Sequence, residues 1–221
     1  MAEDERLLDE AARGAVLPVL RFYGWAPPAV SLGRFQDEAR AVHAGACRER
    51  GIDIVRRITG GRAVLHDREL TYSVIAPAGS RLFPNDVLGT YRMIAGGLLA
   101  GLRDLGLDAG MAARPEKRGA APKGEGRDAA CFASPSWYEI VVRGRKIVGS
   151  AQRRVPGAFL QHGSILIDYD PALEAAVIPG GGAAQSVTSI RQELGRDVPL
   201  ESVKKAVLGG FRSALGIVLV A

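Results

Sequence analysis

Apolar residues recur at helical spacing in six stretches of the chain. Leu7, Leu8 and Ala11 lie on one face of the first stretch, and Asn85 or Asp86 can cap the longest one. This pattern predicts helices over residues 4–13, 37–50 and 84–105, a short helix from Pro171, and helices near residues 186–194 and 199–214.

Short runs of β-branched and aromatic residues separate these helices and predict strands. Turn residues such as Pro27-Pro28, Thr59-Gly60-Gly61 and Arg143-Gly144 bound the runs. The predicted strands cover residues 17–25, 29–35, 52–57, 62–66, 70–76, 137–142, 146–152 and 159–168. Their succession is typical of an antiparallel meander. Together with the helices it predicts an α+β fold, in which helices flank a mixed, largely antiparallel sheet. Regular βαβ alternation is absent, which argues against a Rossmann fold.

Residues 108–130 have a different character. They show no hydrophobic period and mix charged residues with glycine and proline, which predicts a long surface loop. We expect residues 110–130 to be mobile without substrate, because the segment offers few apolar contacts.

Length and composition are those of an ordinary globular chain. The 221 residues are 47% hydrophobic and 24% charged, and a chain of this length can bury a sizeable core. We interpret residues 1–221 as a single domain. The acidic N-terminus lacks the apolar core of a signal peptide, and no apolar run approaches 18 residues. We therefore expect a soluble cytoplasmic protein that does not engage a membrane.

Charge and residue types restrict the expected partners, disulfides and metal sites. The formal net charge is +5, which favours an acidic partner, either nucleic acid or an acidic protein. Aromatic residues are too scattered for a base-stacking platform, so we expect no nucleic acid. Two cysteines make no disulfide framework. No CxxC, HExxH or paired acidic cluster occurs, so no metal site is predicted.

Three strand-associated segments carry candidate chemistry. The first is Arg56-Arg57-x-Thr59-Gly60-Gly61-Arg62-Ala63-Val-Leu-His66, where paired glycines let a backbone approach a ligand closely. A hairpin turn with surface arginines is the alternative, which composition alone favours. The second is Lys146-Ile-Val-Gly149-Ser150-Ala151, whose lysine faces either a pocket or solvent at a sheet edge. The third, Gln161-His162-Gly163-Ser164, has a histidine that is either functional or structural.

The two cysteines differ in their surroundings. Cys131 follows the basic segment that contains Lys123 and Arg127, and cationic neighbours lower a thiol pKa and favour a nucleophile. A buried, inert cysteine is the alternative. Cys47 lies on the alanine-rich predicted helix and is expected in the core.

Together with Cys131-Phe-x-x-Pro-Ser-x-Tyr-Glu139, these segments resemble, in order, the motifs of the lipoate–protein ligase and octanoyltransferase family. The resemblance covers roughly residues 15–215 and implies a biotin-ligase-like, class II synthetase-like catalytic fold. It also implies that residues 1–221 form a single catalytic domain without the C-terminal accessory domain of full-length ligases. It is nearest to the cysteine-dependent octanoyltransferases. In that branch the nucleophile falls on Cys131 and its assisting lysine on Lys146, which implies that Lys146 serves the cysteine rather than a nucleotide phosphate.

The resemblance also implies a reaction, its partners and its binding residues. An octanoyl group would pass from acyl carrier protein, through a cysteine thioester, to the lysine of a lipoyl domain, either of a 2-oxoacid dehydrogenase E2 or of the glycine cleavage H protein. No cofactor is required. An ATP-dependent lipoate ligase, which needs ATP and Mg²⁺, is the alternative, and an amidotransferase acting between lipoyl domains is a third possibility. The implied substrate-binding residues are Arg57, Thr59, Gly60, Gly61, Arg62, Ala63, His66, Gly149, Ser150, Ala151, His162 and Gly163.

Overall fold

The computed structural model of the chain describes residues 1–112 and 139–218. The helices are α1 (Ala2–Ala12), α2 (Glu38–Ala41), α3 (Ala44–Glu49), α4 (Val87–Asp104), α5 (Pro171–Val177), α6 (Ile190–Leu194) and α7 (Leu200–Leu215). The strands are β1 (Val19–Tyr23), β2 (Ala29–Leu32), β3 (Asp53–Arg56), β4 (Val64–His66), β5 (Glu69–Pro77), β6 (Ala109–Met111), β7 (Ile140–Val142), β8 (Arg145–Val155) and β9 (Ala158–Leu166).

The strands form two sheets. The larger has the order β1-β5-β9-β8-β7-β6, and every neighbouring pair in it is antiparallel. The smaller has the order β3-β2-β4, with β2 parallel to β3 and antiparallel to β4. This arrangement confirms the predicted α+β fold with a mixed, largely antiparallel sheet flanked by helices.

The simple meander among the first strands is wrong. Strand β1 pairs with β5 rather than with β2, which belongs to the smaller sheet. All but the last residue of β5 is buried. The backbone groups of such a strand need partners on both edges, and β1 and β9 supply them.

Helices α4 and α7 cover one face of the larger sheet. Leu98 of α4 and Phe211 of α7 share a core with Tyr72 and Val74 of β5. Helix α1 covers part of the opposite face, where Leu7 and Leu8 pack against Ile75 and Leu160. The smaller sheet has its own core with α3 and α5, which contains Cys47 as predicted.

Two further predictions of local structure are wrong. Residues 37–50 form two short helices instead of one, because Val42 is extended and buried and the backbone N–H of His43 donates to the Val177 carbonyl of α5. Residues 109–111 form strand β6 instead of loop, because they pair with β7 at the sheet edge. The predicted mobile stretch otherwise lies outside the described residues from residue 113 onward. No helix in the described ranges is long and apolar enough to cross a membrane.

Candidate active site

The face of the larger sheet opposite α4 and α7 carries polar residues at alternate positions. On β5 these are Glu69, Thr71 and Ser73, and on β9 they are His162 and Ser164. All five side chains are buried. Buried polar groups require hydrogen-bond partners, so this face is built around a polar network rather than an apolar core.

A pocket of about 410 Å³, open to solvent, lies between this face and the smaller sheet. Its walls combine Ser31 of β2 and His66 of β4 with residues of β5, β8 and β9. Seven of the residues predicted from the sequence line it, namely Arg57, His66, Gly149, Ser150, Ala151, His162 and Gly163.

The glycine turn lies behind Arg57 and shapes the pocket indirectly. The buried Arg57 guanidinium donates to the carbonyl and hydroxyl of Ser31 at 2.7 and 3.0 Å, and to the carbonyls of Gly60 and Arg62 at 3.2 and 2.6 Å. The alternative in which the arginines of this turn lie at the surface is therefore wrong for Arg57. Gly61 has φ +98°, which a side chain would strain.

The remaining predicted residues of this segment hold the turn in place. Thr59, Gly60, Gly61 and Arg62 are not among the residues that line the pocket. Ala63 is fully buried in the core of the smaller sheet, so its contacts in the structure are packing contacts. The Thr59 hydroxyl instead lies 2.7 Å from Nε2 of His162 and so ties the turn to β9.

His66 belongs to a buried hydrogen-bond network at the base of the pocket. Its Nε2 lies 2.7 Å from the Ser31 hydroxyl and its Nδ1 lies 3.3 Å from Oε1 of Glu69. The Trp25 ring stacks on the imidazole with centroids 4.4 Å apart. Glu69 also accepts hydrogen bonds from the hydroxyls of Thr71 and Ser164. Sequence reasoning missed Glu69, although a carboxylate at the head of an apolar run is a usable signal.

His162 has a second buried carboxylate beside it. Asp4 of α1 lies with its Oδ2 3.9 Å from Nδ1 of His162 and accepts hydrogen bonds from Tyr23 and Ser73. Burial opposes ionisation of Asp4, but the neighbouring ring of His162, the Tyr23 and Ser73 hydroxyls that donate to it and the charge of Arg21 lower its pKa to about 2. Burial lowers the pKa of His162, which favours a neutral ring. Asp4 was not predicted from the sequence.

Lys146 does not line the pocket, although it shares β8 with Gly149, Ser150 and Ala151. Its side chain is 1% exposed and its Nζ donates to the carboxylate of Glu139. The backbone of Lys146 is bracketed by hydrogen bonds to Ser186 and Thr188. The alternative in which Lys146 faces solvent at a sheet edge is therefore wrong, because its ammonium forms a buried ion pair with the Glu139 carboxylate.

The structure describes one of the two cysteines. Cys131 falls within residues 113–138, which lie outside the described residues, so its surroundings stay a prediction. Cys47 is fully buried, and its burial raises the pKa of the thiol, as expected for an inert core cysteine. In the ranges 1–112 and 139–218, no group of three or more His, Cys, Asp or Glu side chains could hold a metal ion.

The sequence profile of the lipoyl protein ligase A/B catalytic domain matches residues 1–212. The chain belongs to this family. Among curated members, octanoyltransferase LipM of Kyrpidia tusciae is 46% identical, over 98% of this chain and 82% of the relative. LipM of Geobacillus kaustophilus is 44% identical, over 99% of this chain and 82% of the relative.

Solved structures of family members share the fold. Lipoate-protein ligase A bound with ATP superimposes with a TM-score of 0.76 at 25% identity, over 98% of this chain and 81% of the ligase chain. A chain from the bi-partite lipoate protein ligase of Thermoplasma acidophilum, studied with its E2 lipoyl domain, gives a TM-score of 0.74 at 25% identity, over 99% and 81% of the two chains. The predicted family and fold are thereby confirmed.

Proposed function

We propose that this protein is an octanoyltransferase that moves an octanoyl group from acyl carrier protein to the lysine of a lipoyl domain, through a thioester on Cys131. The observation that carries the proposal is the 44–46% identity to octanoyltransferases named LipM over nearly the whole chain. Identity to the two lipoate ligases of known structure named above is lower, at 25%. This difference favours the transferase over the ATP-dependent ligase.

The chemistry proceeds in two transfers. The Cys131 thiolate attacks the carbonyl carbon of the octanoyl thioester, and the carrier thiol leaves as the bond to its sulfur breaks. The amine of the acceptor lysine then attacks the acyl-cysteine and loses a proton. An octanoyl amide forms and the Cys131 thiol is returned. No oxidant, reductant or nucleotide enters this balance.

The pocket between the two sheets is the proposed site of the acyl group. Gly149, Ala151 and Gly163 form stretches of its wall without bulky side chains. Arg57, His66 and His162 contribute the polar part of its lining. We assign Thr59, Gly60 and Arg62 a supporting role, because their contacts hold Arg57 and His162 in position. Gly61 supports the same turn, because its positive φ and its missing side chain leave room for the Arg57 guanidinium.

Lys146 is proposed to act on Cys131. An ammonium group near a thiol stabilises the thiolate, and it can also stabilise the oxyanion of the tetrahedral intermediate. Glu139 holds the Lys146 ammonium in a buried position. Glu139 is the last residue of the motif that begins at Cys131. The same short segment would therefore carry both the nucleophile and the carboxylate that holds its assisting lysine.

Intact-mass spectrometry tests the proposal. The protein is incubated with octanoyl-acyl carrier protein in the absence of ATP, and a gain of about 126 Da, one octanoyl group, is expected on the enzyme. Subsequent addition of a lipoyl domain should move this mass to the acceptor. Mass gain on the acceptor only with ATP and free octanoate would instead support the ligase.

Two cysteine variants make the test specific. We expect Cys131→Ala to abolish both the adduct and the transfer while the far-UV circular dichroism stays that of the wild type. Cys47→Ala is the matched control, because that thiol is buried in the smaller core away from the pocket lining, and it should retain activity. Wild-type turnover by Cys131→Ala would overturn the thioester mechanism.

A further inference from the structure

Helix α1 inserts a carboxylate beneath the sheet. Asp4 lies on the same helix face as Leu7, Leu8 and Ala11, which is the face that packs on β5 and β9. The apolar members of this face make an ordinary hydrophobic contact. Asp4 is 1% exposed and forms an ion pair with Arg21, so it is a charge taken out of water within an otherwise apolar docking surface.

The ring of His162 is held between this carboxylate and the glycine turn. Its Nε2 lies 2.7 Å from the Thr59 hydroxyl, and its Nδ1 lies 3.9 Å from Oδ2 of Asp4. In the part of the chain that the structure describes, Nδ1 makes no hydrogen bond. Asp4 is thus the acidic group that Nδ1 faces, and the ring is 4% exposed.

The two neutral tautomers of His162 differ sharply in this environment. With the proton on Nε2, the lone pair of Nδ1 would face a carboxylate, which is repulsive. With the proton on Nδ1, the N–H dipole points at the negative charge, and Nε2 is left to accept the Thr59 hydroxyl proton. Burial strengthens this difference because water does not screen it.

We propose that Asp4 is a positioning residue that sets the Nδ1–H tautomer of His162 and, through it, orients Thr59 and the glycine turn beside the pocket. Thr59 is 1% exposed and its carbonyl accepts the backbone N–H of Arg34 at 2.9 Å. Both ends of Thr59 are therefore held, one by β9 through the histidine and one by the loop after β2. A residue on the first helix thus acts, through His162 in the pocket lining, on the turn that supports Arg57 at the other side of the pocket.

A purely structural role for Asp4 makes a different prediction. Its bonds to Arg21, Tyr23 and Ser73 already satisfy the carboxylate, and on that reading only the stability of α1 depends on it. Tyr23→Phe separates the two readings, because it removes one of these bonds and leaves the carboxylate in place. Asp9→Asn on the exposed face of the same helix is a matched control for the substitution itself.

The direct test is the nitrogen-15 NMR spectrum of the histidine rings, which reports the tautomer without any substrate. The chain has three histidines, so the His162 signals can be assigned with His162→Gln. We expect Nδ1–H in the wild type, in Tyr23→Phe and in Asp9→Asn. In Asp4→Asn, which keeps the shape of the side chain, we expect a mixture of both tautomers. An Nε2–H ring in the wild type overturns the inference, even if Asp4→Asn fails to fold.

A second test measures enzyme activity, and it rests on the proposed octanoyl transfer. We expect Asp4→Asn to lower kcat for transfer by roughly 10- to 100-fold, as a misplacement of site groups does, while Tyr23→Phe and Asp9→Asn stay within about twofold of the wild type. Equal kcat in Asp4→Asn and Asp9→Asn, with an unchanged tautomer, contradicts the positioning role. A shifted tautomer in a protein whose wild type transfers no octanoyl group would uphold it and refute only the proposed function.

Discussion

Three buried carboxylates, Asp4, Glu69 and Glu139, each face a basic side chain of this protein. Asp4 faces Arg21 and the ring of His162, Glu69 faces His66, and Glu139 holds the ammonium of Lys146. Removing one member of a buried pair leaves the other charge poorly solvated, which costs about 3–5 kcal/mol. Substitutions at these sites therefore need separate measurements of stability and of chemistry.

Replacement of Lys146 should change the chemistry of the proposed nucleophile. If its ammonium stabilises the thiolate, Lys146→Ala raises the thiol pKa of Cys131 toward about 8.5, the value of a free cysteine. The rate of iodoacetamide labelling at Cys131, followed against pH, measures this pKa. Labelling of Cys131 is read by peptide mass spectrometry in the Cys47→Ala background, and unfolding curves establish that both proteins are folded. Identical titration of the two proteins, with ATP bound tightly by the wild type alone, would assign Lys146 to a nucleotide site.

Ionisation of Asp4 should make the protein sensitive to acid. The folded protein lowers the pKa of Asp4 from its usual 3.8 to about 2, so the folded state binds this proton less readily than the unfolded state. The resulting stabilisation, about 2 kcal/mol, is complete above pH 3.8 and is lost as the pH falls through 2. Urea unfolding of the wild type and Asp4→Asn checks this: the wild type's advantage should shrink by that amount between about pH 5 and pH 2. A constant difference would contradict the low pKa.

At the scale of elements, helices α4 and α7 meet through glycines. A Cβ atom on Gly210 would lie 2.3 Å from both the Gly101 nitrogen and the Gly97 carbonyl oxygen. These are backbone atoms of the facing helix, so they cannot rotate away. The close approach of the two helices covers the sheet face opposite the pocket and thereby supports it from behind.

Two neighbouring glycines of α7 should respond oppositely to alanine. Gly210→Ala forces the helices apart and should lower the free energy of unfolding by about 3 kcal/mol. Gly209→Ala meets open space on the exposed face, and it should raise that free energy by about 0.5–1 kcal/mol because alanine is the better helix former. Urea unfolding of both variants checks the pair. Equal effects would mean that the helices do not pack this closely in solution.

The sequence predicted the ends of helices and strands where the local pattern dominates. The predicted ends are wrong where a distant partner forms hydrogen bonds with the same residues. The spans predicted from the apolar periodicity agree with those observed for α1 and α7, because packing one apolar face is enough to hold each helix. The break at Val42 and His43 depends on a carbonyl of α5, more than 130 residues away along the chain, which no local pattern encodes. Strand β6 likewise exists because β7 offers it a free edge.

On the scale of the whole molecule, the net charge of +5 should govern encounters with acidic carriers. Acyl carrier proteins and lipoyl domains, the proposed donor and acceptor, are typically acidic proteins. We expect KM for octanoyl-acyl carrier protein to rise several-fold between about 0.05 and 0.5 M NaCl, while kcat changes little, because salt screens steering but not the chemistry within the pocket. Steady-state kinetics at several salt concentrations measure the effect. A KM independent of salt would exclude electrostatic steering.

By itself, the sequence determined the class of fold, the family and most of the pocket lining. Four motifs in a fixed order encode a local chemistry that is readable residue by residue, and seven of their residues meet at one pocket. Only the tertiary structure decided that β1 and β2 part into different sheets, that Lys146 pairs with Glu139, and that Asp4 faces His162. These arrangements depend on which strand edges and charges find partners across the fold, and periodicity along one segment carries no information about the far side of a pair.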